Sequence, residues 1–287
     1  MTESLLEPFQ YTFFRHGIVV ATLAGGLCGL VGVYVVLRGM SYIGHGLSHD
    51  IFGGAAASAV VNFNFYLGAG LWGLASALMI GRVTRRRPIG SDAAIGVITT
   101  ASFALGLVLF GLFGTAEKSM DAVLFGSILG VTAEDVWAVA AVAVSAAAIV
   151  FFRYRALLFS TFDPEVADVS GVNTARTDAL LMLVLAVSIL ATMKVIGVVL
   201  IAAMLVIPPV AARMLTNSFA RMLWISVVIG AACGLVGMYL SYHLDVSSGA
   251  TIVLVGAVVF GVTFALTGSH GVHRAGRHDL GGPVVGP

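Results

Sequence analysis

A chain of 287 residues that is 59% hydrophobic and only 10% charged cannot cover a water-facing surface of its own size. Its mean hydropathy of +1.03 and its long apolar blocks place it in a lipid bilayer and exclude a soluble enzyme or a nucleic-acid-binding domain. The formal charge of +1 says nothing about partners, and Cys28 and Cys233 lie inside apolar blocks, which excludes a disulfide framework and a CxxC metal site.

The first segment, MTESLLEPFQYTFFRHG, lacks the basic start of a secretory signal, so residues 1–16 read as an outer segment and the first apolar block as a retained span. Hydropathy gives nine candidate spans, at about 17–37, 43–63, 66–82, 92–113, 133–152, 178–193, 195–212, 222–241 and 250–267. Merging one adjacent pair makes eight. The apolar stretch from Ser119 to Val131 is too short to cross and reads as a re-entrant helix, which requires protein to cover its backbone. The predicted fold is therefore an all-α polytopic membrane protein of eight or nine spans, with one transmembrane domain over 17–268. Residues 269–287, rich in Gly and His, read as a disordered cytoplasmic tail.

Basic residues set the orientation. With the amino terminus outside, the inner loops hold Arg38, then Arg82, Arg85, Arg86 and Arg87, then Arg153, Arg155 and Arg176. Arg213 and Arg221 follow, and Arg274 and Arg277 complete the set, leaving only Arg15, Lys118 and Lys194 outside. The long inner loop carries FSTFDPEVADVSGVN. Here Asp163 suits an N-cap, Pro164 the first helical position, Glu165 the first turn, and Gly171 a stop. A short amphipathic helix outside the bilayer, at about 162–172, follows. It is either an ordinary interfacial helix or a docking surface for a cytoplasmic subunit, and the local pattern leaves both open.

The chemistry concentrates in RGMSYIGHGLSHDIFGG, residues 38–54. A spacing of four stacks His45 and His49 one turn apart on one helix face, close enough to share an ion. Neutral imidazole binds zinc and other first-row divalent metals, and ionisable groups inside a span usually face a cavity, a path or a partner. Ser48 and Asp50 are candidates for orienting an imidazole through its other nitrogen. The plain alternative is that both histidines hydrogen-bond to neighbouring helices. Gly46 leaves no general base between them, which excludes a zinc-peptidase HExxH. Weaker candidates are Asp92 as a helix-start charge, Glu117, Asp121, Glu134 and Asp135 around the short outer helix, His243 with Asp245, and the tail residues His270, His273 and His278. Pro208 and Pro209 in AAMLVIPPVAARML should kink or interrupt their span, and such breaks in transporters often lie near the path. No P-loop, GxSxG or dinucleotide fingerprint occurs, so ATP hydrolysis by this chain is not expected.

Several segments taken in order resemble the membrane permease subunit of bacterial ABC importers for zinc, manganese or iron. They are GLVGVYVVLRGMSYIGHGLSHDIFGG, SDAAIGVITTASFALGLVL, LFGSILGVTAEDV, FDPEVADVSGV, KVIGVVLIAAMLVIPPVAARML and SSGATIVL. The resemblance implies a homodimer or paired permease in the bacterial plasma membrane, with the ion path between the copies. It also implies two cytoplasmic ATPase subunits and an extracytoplasmic metal-binding protein. Residues Phe162 to Val172, with Asp163, Pro164, Glu165, Asp168 and Gly171, fall where the family has its ATPase-coupling helix. The family's path ligands, an acidic residue and a His four positions later, fall on His45 and His49. An imidazole replaces the carboxylate at the first, which tilts ligand preference from manganese towards zinc. The metal would be cargo, with no permanently bound cofactor. Rival readings are a proton-coupled secondary transporter, an importer of a metal chelate, and an intramembrane metalloenzyme.

Overall fold

The computed structural model describes residues 7–61, 63–83, 91–113, 120–127 and 130–275, and every regular element among them is helical. After a 3₁₀ turn at Glu7–Gln10 come α1 (Thr12–Leu37), α2 (Ser41–Val60), α3 (Phe65–Val83), α4 (Ser91–Phe113), α5 (Met120–Phe125) and α6 (Ala133–Phe152). They continue with α7 (Tyr154–Phe162), α8 (Pro164–Val169), α9 (Thr174–Ile196), α10 (Ile201–Leu215), α11 (Phe219–Leu244) and α12 (Ser248–Ala275). Six of these, α1, α4, α6, α9, α11 and α12, are long and apolar enough to cross a bilayer. Leu67–Ile80 within α3 and all of α10 are apolar but shorter. Helix α2 belongs to neither set, because His45, His49 and Asp50 interrupt its apolar run.

Each predicted span contains a helix. Residues 269–275, expected to belong to a disordered tail, are helical, since α12 runs on to Ala275, and residues 276–287 lie outside the described residues. Arg85, Arg86, Arg87, Glu117, Lys118, Arg277 and His278 lie outside the described residues, as do the side chains of Arg82, Asp92, Asp121, His270, His273 and Arg274. Of the two outcomes expected of Pro208 and Pro209, a kink or an interruption, the second does not occur, for α10 is continuous through both. A proline at position 209 frees the carbonyl four residues back, and that of Leu205 lies against Gly32 of α1, where a Cβ would overlap it. The chain breaks earlier, at Gly197 (φ 85°) and residues 198–200.

Helix α1 runs through the middle, packed on α11, α10, α9 and α6. Lipid offers no hydrophobic drive for helices to associate, so close backbone approach carries much of the packing. At the α1–α11 crossing a Cβ on Gly25 would overlap the Gly230 carbonyl, and one on Gly230 the Gly25 carbonyl. One turn on, Ser226 Oγ donates to the Gly29 carbonyl at 2.7 Å. A second unit holds α2 between α3 and α4. Gly46 and Gly53 of α2 admit Thr99 and Ser102 of α4, and Gly73 of α3 admits Ile51.

The break after α9 lies among apolar neighbours, so its backbone groups need partners. Val198 and Val199 N–H donate to the Val123 and Leu124 carbonyls of α5, and Ser127 N–H donates to Lys194 O. Ser247 Oγ donates to Phe125 O at 2.7 Å and Ser248 Oγ to Val195 O at 2.8 Å. The ends of α5 and α9 and the start of α12 thus complete one another's backbone hydrogen bonds.

Valine at Gly25 or Gly230 should force α1 and α11 apart at a cost of about 3 kcal/mol or more. We expect loss of monodisperse protein in detergent chromatography, while Gly111→Ala, at a glycine with open space around it, elutes as the parent does.

Candidate metal site

Helix α2 starts from a glycine turn. Arg38 ends α1, Gly39 adopts φ 65°, and Gly39 N–H and Met40 N–H return to the Val36 and Val35 carbonyls, closing a Schellman motif. Only a residue tolerant of positive φ fits there. The turn starts α2 at Ser41 and stacks His45 and His49 on one face, with Nε2 to Nε2 at 3.1 Å and ring centroids 4.4 Å apart at 88°. Two nitrogens each about 2.1 Å from one ion lie roughly 3.0–3.4 Å apart at octahedral to tetrahedral angles, so the rings need almost no movement to share a metal. The same spacing is an N–H···N hydrogen bond when one Nε2 carries a proton. His45 is exposed, whereas His49 is half-buried against the Phe103 ring at 4.2 Å. Among the described residues no group of three His, Cys, Asp or Glu side chains forms a metal cage. The pair therefore offers two ligands and an open side.

Ser48 and Asp50 do not orient the imidazoles. Ser48 Oγ donates to the backbone carbonyl of His45 at 2.7 Å, and His49 Nδ1 is buried with no partner. The Asp50 side chain turns to the other side of α2, between α3 and α4. Its residue is 1% exposed, and neither carboxylate oxygen closes a well-formed hydrogen bond. The hydroxyls facing it are Ser102 and Ser76, and Ser102 Oγ also accepts from Trp72 Nε1 at 3.2 Å.

The segment between α7 and α9 forms the expected short helix. Asp163 Oδ1 accepts from Val166 N–H at 3.0 Å, Pro164 occupies the first turn, and Gly171 at φ 80° closes a second Schellman motif through Val172 N–H to Ala167 O. Glu165 is exposed. Asp168 is used locally, accepting from Thr174 Oγ1 at 2.8 Å, and Phe162 packs edge-on against Phe219. Val166 and Val169 face outward, the latter 91% exposed, which an isolated polar loop would not favour. A cleft of about 320 Å³ lined by Arg153, Arg176 and Asn173 opens beside this helix.

Sequence reasoning treated Arg38 only as a topology marker, and the structure gives it a larger part. Its Nη1 donates to Asp178 Oδ1 of α9 at 2.6 Å, Nη2 to Ser160 Oγ at 2.7 Å, and Nε to Thr161 Oγ1 at 3.0 Å, the last two on α7. One guanidinium therefore joins the α1–α2 turn to α7, two residues before the Asp163 cap. A signal was present, because a lone Arg directly before a turn glycine has a fixed backbone from which to reach. The other candidates have local roles. Asp135 forms a capping box with Thr132 and an ion pair with Lys194 at 2.5 Å, and His243 Nδ1 lies 3.0 Å from the Tyr239 carbonyl instead of meeting Asp245.

Asp50→Asn keeps the shape and removes a buried charge that lacks a partner. We expect the thermal midpoint of the purified protein to hold or rise by a few degrees. A clear drop would show that the carboxylate makes a stabilising contact.

The model of the ABC 3 transport family matches residues 10–267. The chain is similar to the manganese transport system membrane protein MntC of Listeria monocytogenes, 34% identical over 271 residues, covering 94% of this chain and 96% of that one. It is also similar to a probable iron transport system membrane protein of Haemophilus influenzae, 34% identical over 265 residues, with 92% and 97% covered. Among solved structures, PsaBC from Streptococcus pneumoniae in complex with Fab superposes with a TM-score of 0.84 at 30% identity, covering 92% of this chain and 95% of that one.

Proposed function

The chain belongs to the ABC 3 transport family, and from that premise we propose that it is the membrane-spanning permease subunit of an ATP-driven importer of divalent transition-metal ions. The carrying observation is the pair of imidazole nitrogens 3.1 Å apart on a helix that is otherwise apolar. Two neutral ligands and an open side suit a carrier that must release what it binds. A second copy of the permease facing the first would supply two more imidazoles and close a four-nitrogen set. The bundle then has eight or nine spans with the amino terminus outside, an orientation supported by Arg38, Arg153, Arg155, Arg176, Arg213 and Arg221 all falling at one end.

In this reading an extracytoplasmic binding protein releases its ion at the outer end. The histidines of both copies hold it while the path is occluded, and ATP hydrolysis in separate cytoplasmic subunits resets the bundle. Helix α8, with Val166 and Val169 outward and the basic cleft beside it, is the docking surface for those subunits. Arg38 carries a displacement of α7–α8 to the turn that starts the histidine helix. Relatives named for manganese and iron make those cargoes candidates. Ligand type separates them, since a pair of nitrogens without a carboxylate favours zinc over manganese.

In proteoliposomes with ATPase and binding protein, His45→Ala and His49→Ala should each abolish metal uptake with assembly intact. Zinc should compete better than manganese in the parent, and His45→Asp should move the order towards manganese. Normal uptake in both alanine variants removes the ligand role. Metal flux that follows a proton gradient without ATP would favour the secondary-transporter reading, with Asp50 as its buried carboxylate.

Arg38→Ala deletes three charge-assisted hydrogen bonds, one of them to a partly exposed Asp178, so about 1–3 kcal/mol of stability is at stake. We expect ATP turnover to persist while metal moved per ATP falls severalfold, with Lys restoring part of it. An unchanged ratio argues against a transmission role.

A further inference from the structure

A groove of about 980 Å³ runs between α1, α6 and α11, on the side of α1 where α6 packs and away from the α2–α3–α4 unit. Its walls are apolar for most of their length, with Leu23, Leu27, Leu30 and Leu223 among them and Gly26, Ala143, Ala147 and Ala231 leaving the space between the helices. At one end it reaches Tyr154, Arg155 and Trp224. That is the end at which Arg38 meets α7 and Tyr154 stacks near Phe219 at 5.6 Å. Arg153 and Arg221 flank the mouth in sequence, all three arginines are exposed, and none pairs with a described carboxylate.

We propose that this groove is a binding site for an anionic phospholipid. The acyl chains lie along the apolar walls and the phosphate is held at the mouth by Arg155, with Arg153 and Arg221 adding to the local field. The occupant follows from the combination. A long apolar slot opening sideways in a membrane helix bundle is filled by hydrocarbon, because leaving it empty forfeits the dispersion contacts of every wall atom. Unpaired guanidinium groups at the polar end of the slot match a phosphate in charge and hydrogen-bond geometry. Trp224, 73% exposed, and Tyr154 have the amphipathic rings that settle at headgroup level. A second protein copy would need complementary acidic residues opposite those arginines, and it would place the interface on the side of α1 away from His45.

Trp224 lines the groove and so reports on it. The full chain, with Trp72 and Trp137 changed to Phe, is reconstituted in phosphatidylcholine vesicles and titrated with acyl-brominated phosphatidylglycerol or acyl-brominated phosphatidylcholine. We expect half-quenching of Trp224 at a markedly lower mole fraction of the anionic lipid. Arg155→Gln should reduce that preference by about fivefold. Ala147→Phe, which fills the slot, should reduce quenching by both lipids. A companion protein keeping only Trp137, exposed on α6, should show no lipid preference. Equal half-quenching by the two lipids in the parent overturns the proposal, as does full quenching in Ala147→Phe. Absence of quenching in the parent also overturns it and assigns the groove to protein, either a second copy or residues 276–287.

Discussion

In lipid a leucine gains nothing by leaving one apolar neighbour for another, so this bundle depends on the places where backbone can touch backbone. The Gly25–Gly230 crossing and the contact of Gly234 with the Ala21 carbonyl are such places between α1 and α11, and they fix the helix around which the others pack. The Leu205 carbonyl against Gly32 ties α10 to the same helix, which lets a Pro-Pro pair sit mid-helix without opening the chain. The α2 sandwich repeats the device. Gly46 and Gly53 on one side and Gly73 on the other place His45 and His49 on a helix clamped from both flanks. The residue that removes any general base between the histidines is the same one that lets α4 approach.

Once apolar contact and glycine have set the packing, the few polar groups serve to complete it or to connect it. At one end, Ser127, Ser247 and Ser248 finish the backbone of two helices that stop within the bundle. Lys194 and Asp135 form an ion pair at the ends of α9 and α6. At the other end, Arg38 spans three elements. The exception is Asp50, buried beside the metal-ligand candidates with no partner for either oxygen. Buried charge of that kind is costly, so its presence one residue after His49 sets α2 apart from the wholly apolar spans.

The sequence made most of the fold legible because hydropathy and caps are local signals. Asp163, Pro164 and Gly171 announced α8, and the observed cap and Schellman stop use those same residues. The histidine spacing announced a shared face, which the 3.1 Å contact realises. What stayed hidden was set by contacts between distant residues. Pro208 and Pro209 looked like a break because their effect on their own helix is local, while the glycine that receives the freed carbonyl lies far back on α1. Ser48 and Asp50 looked like supports for the imidazoles because they are adjacent in sequence, yet on a helix adjacency means a turn of about 100° and a different set of neighbours. Arg38 looked like a topology marker because its three partners lie more than a hundred residues away.

The same distinction bears on how the two ends of the molecule communicate. Helix α2 is gripped along its length by close contacts, Gly46 with Thr99, Gly53 with Ser102, Gly54 with Trp72 and Ile51 with Gly73, and His49 packs on Phe103. Its starting turn is a glycine at positive φ, held by two backbone bonds and by the arginine before it. Ser160 and Thr161 of α7 hold that turn through the Arg38 guanidinium, so the contact between α7 and the start of the histidine helix is polar and one residue wide. On that helix His45 is exposed, whereas His49 is half-buried and packs against the Phe103 ring. In the proposed role of the pair the exposed imidazole is the freer ligand and the packed one the anchored ligand, an asymmetry suited to releasing an ion in steps, where two equally buried imidazoles would retain it.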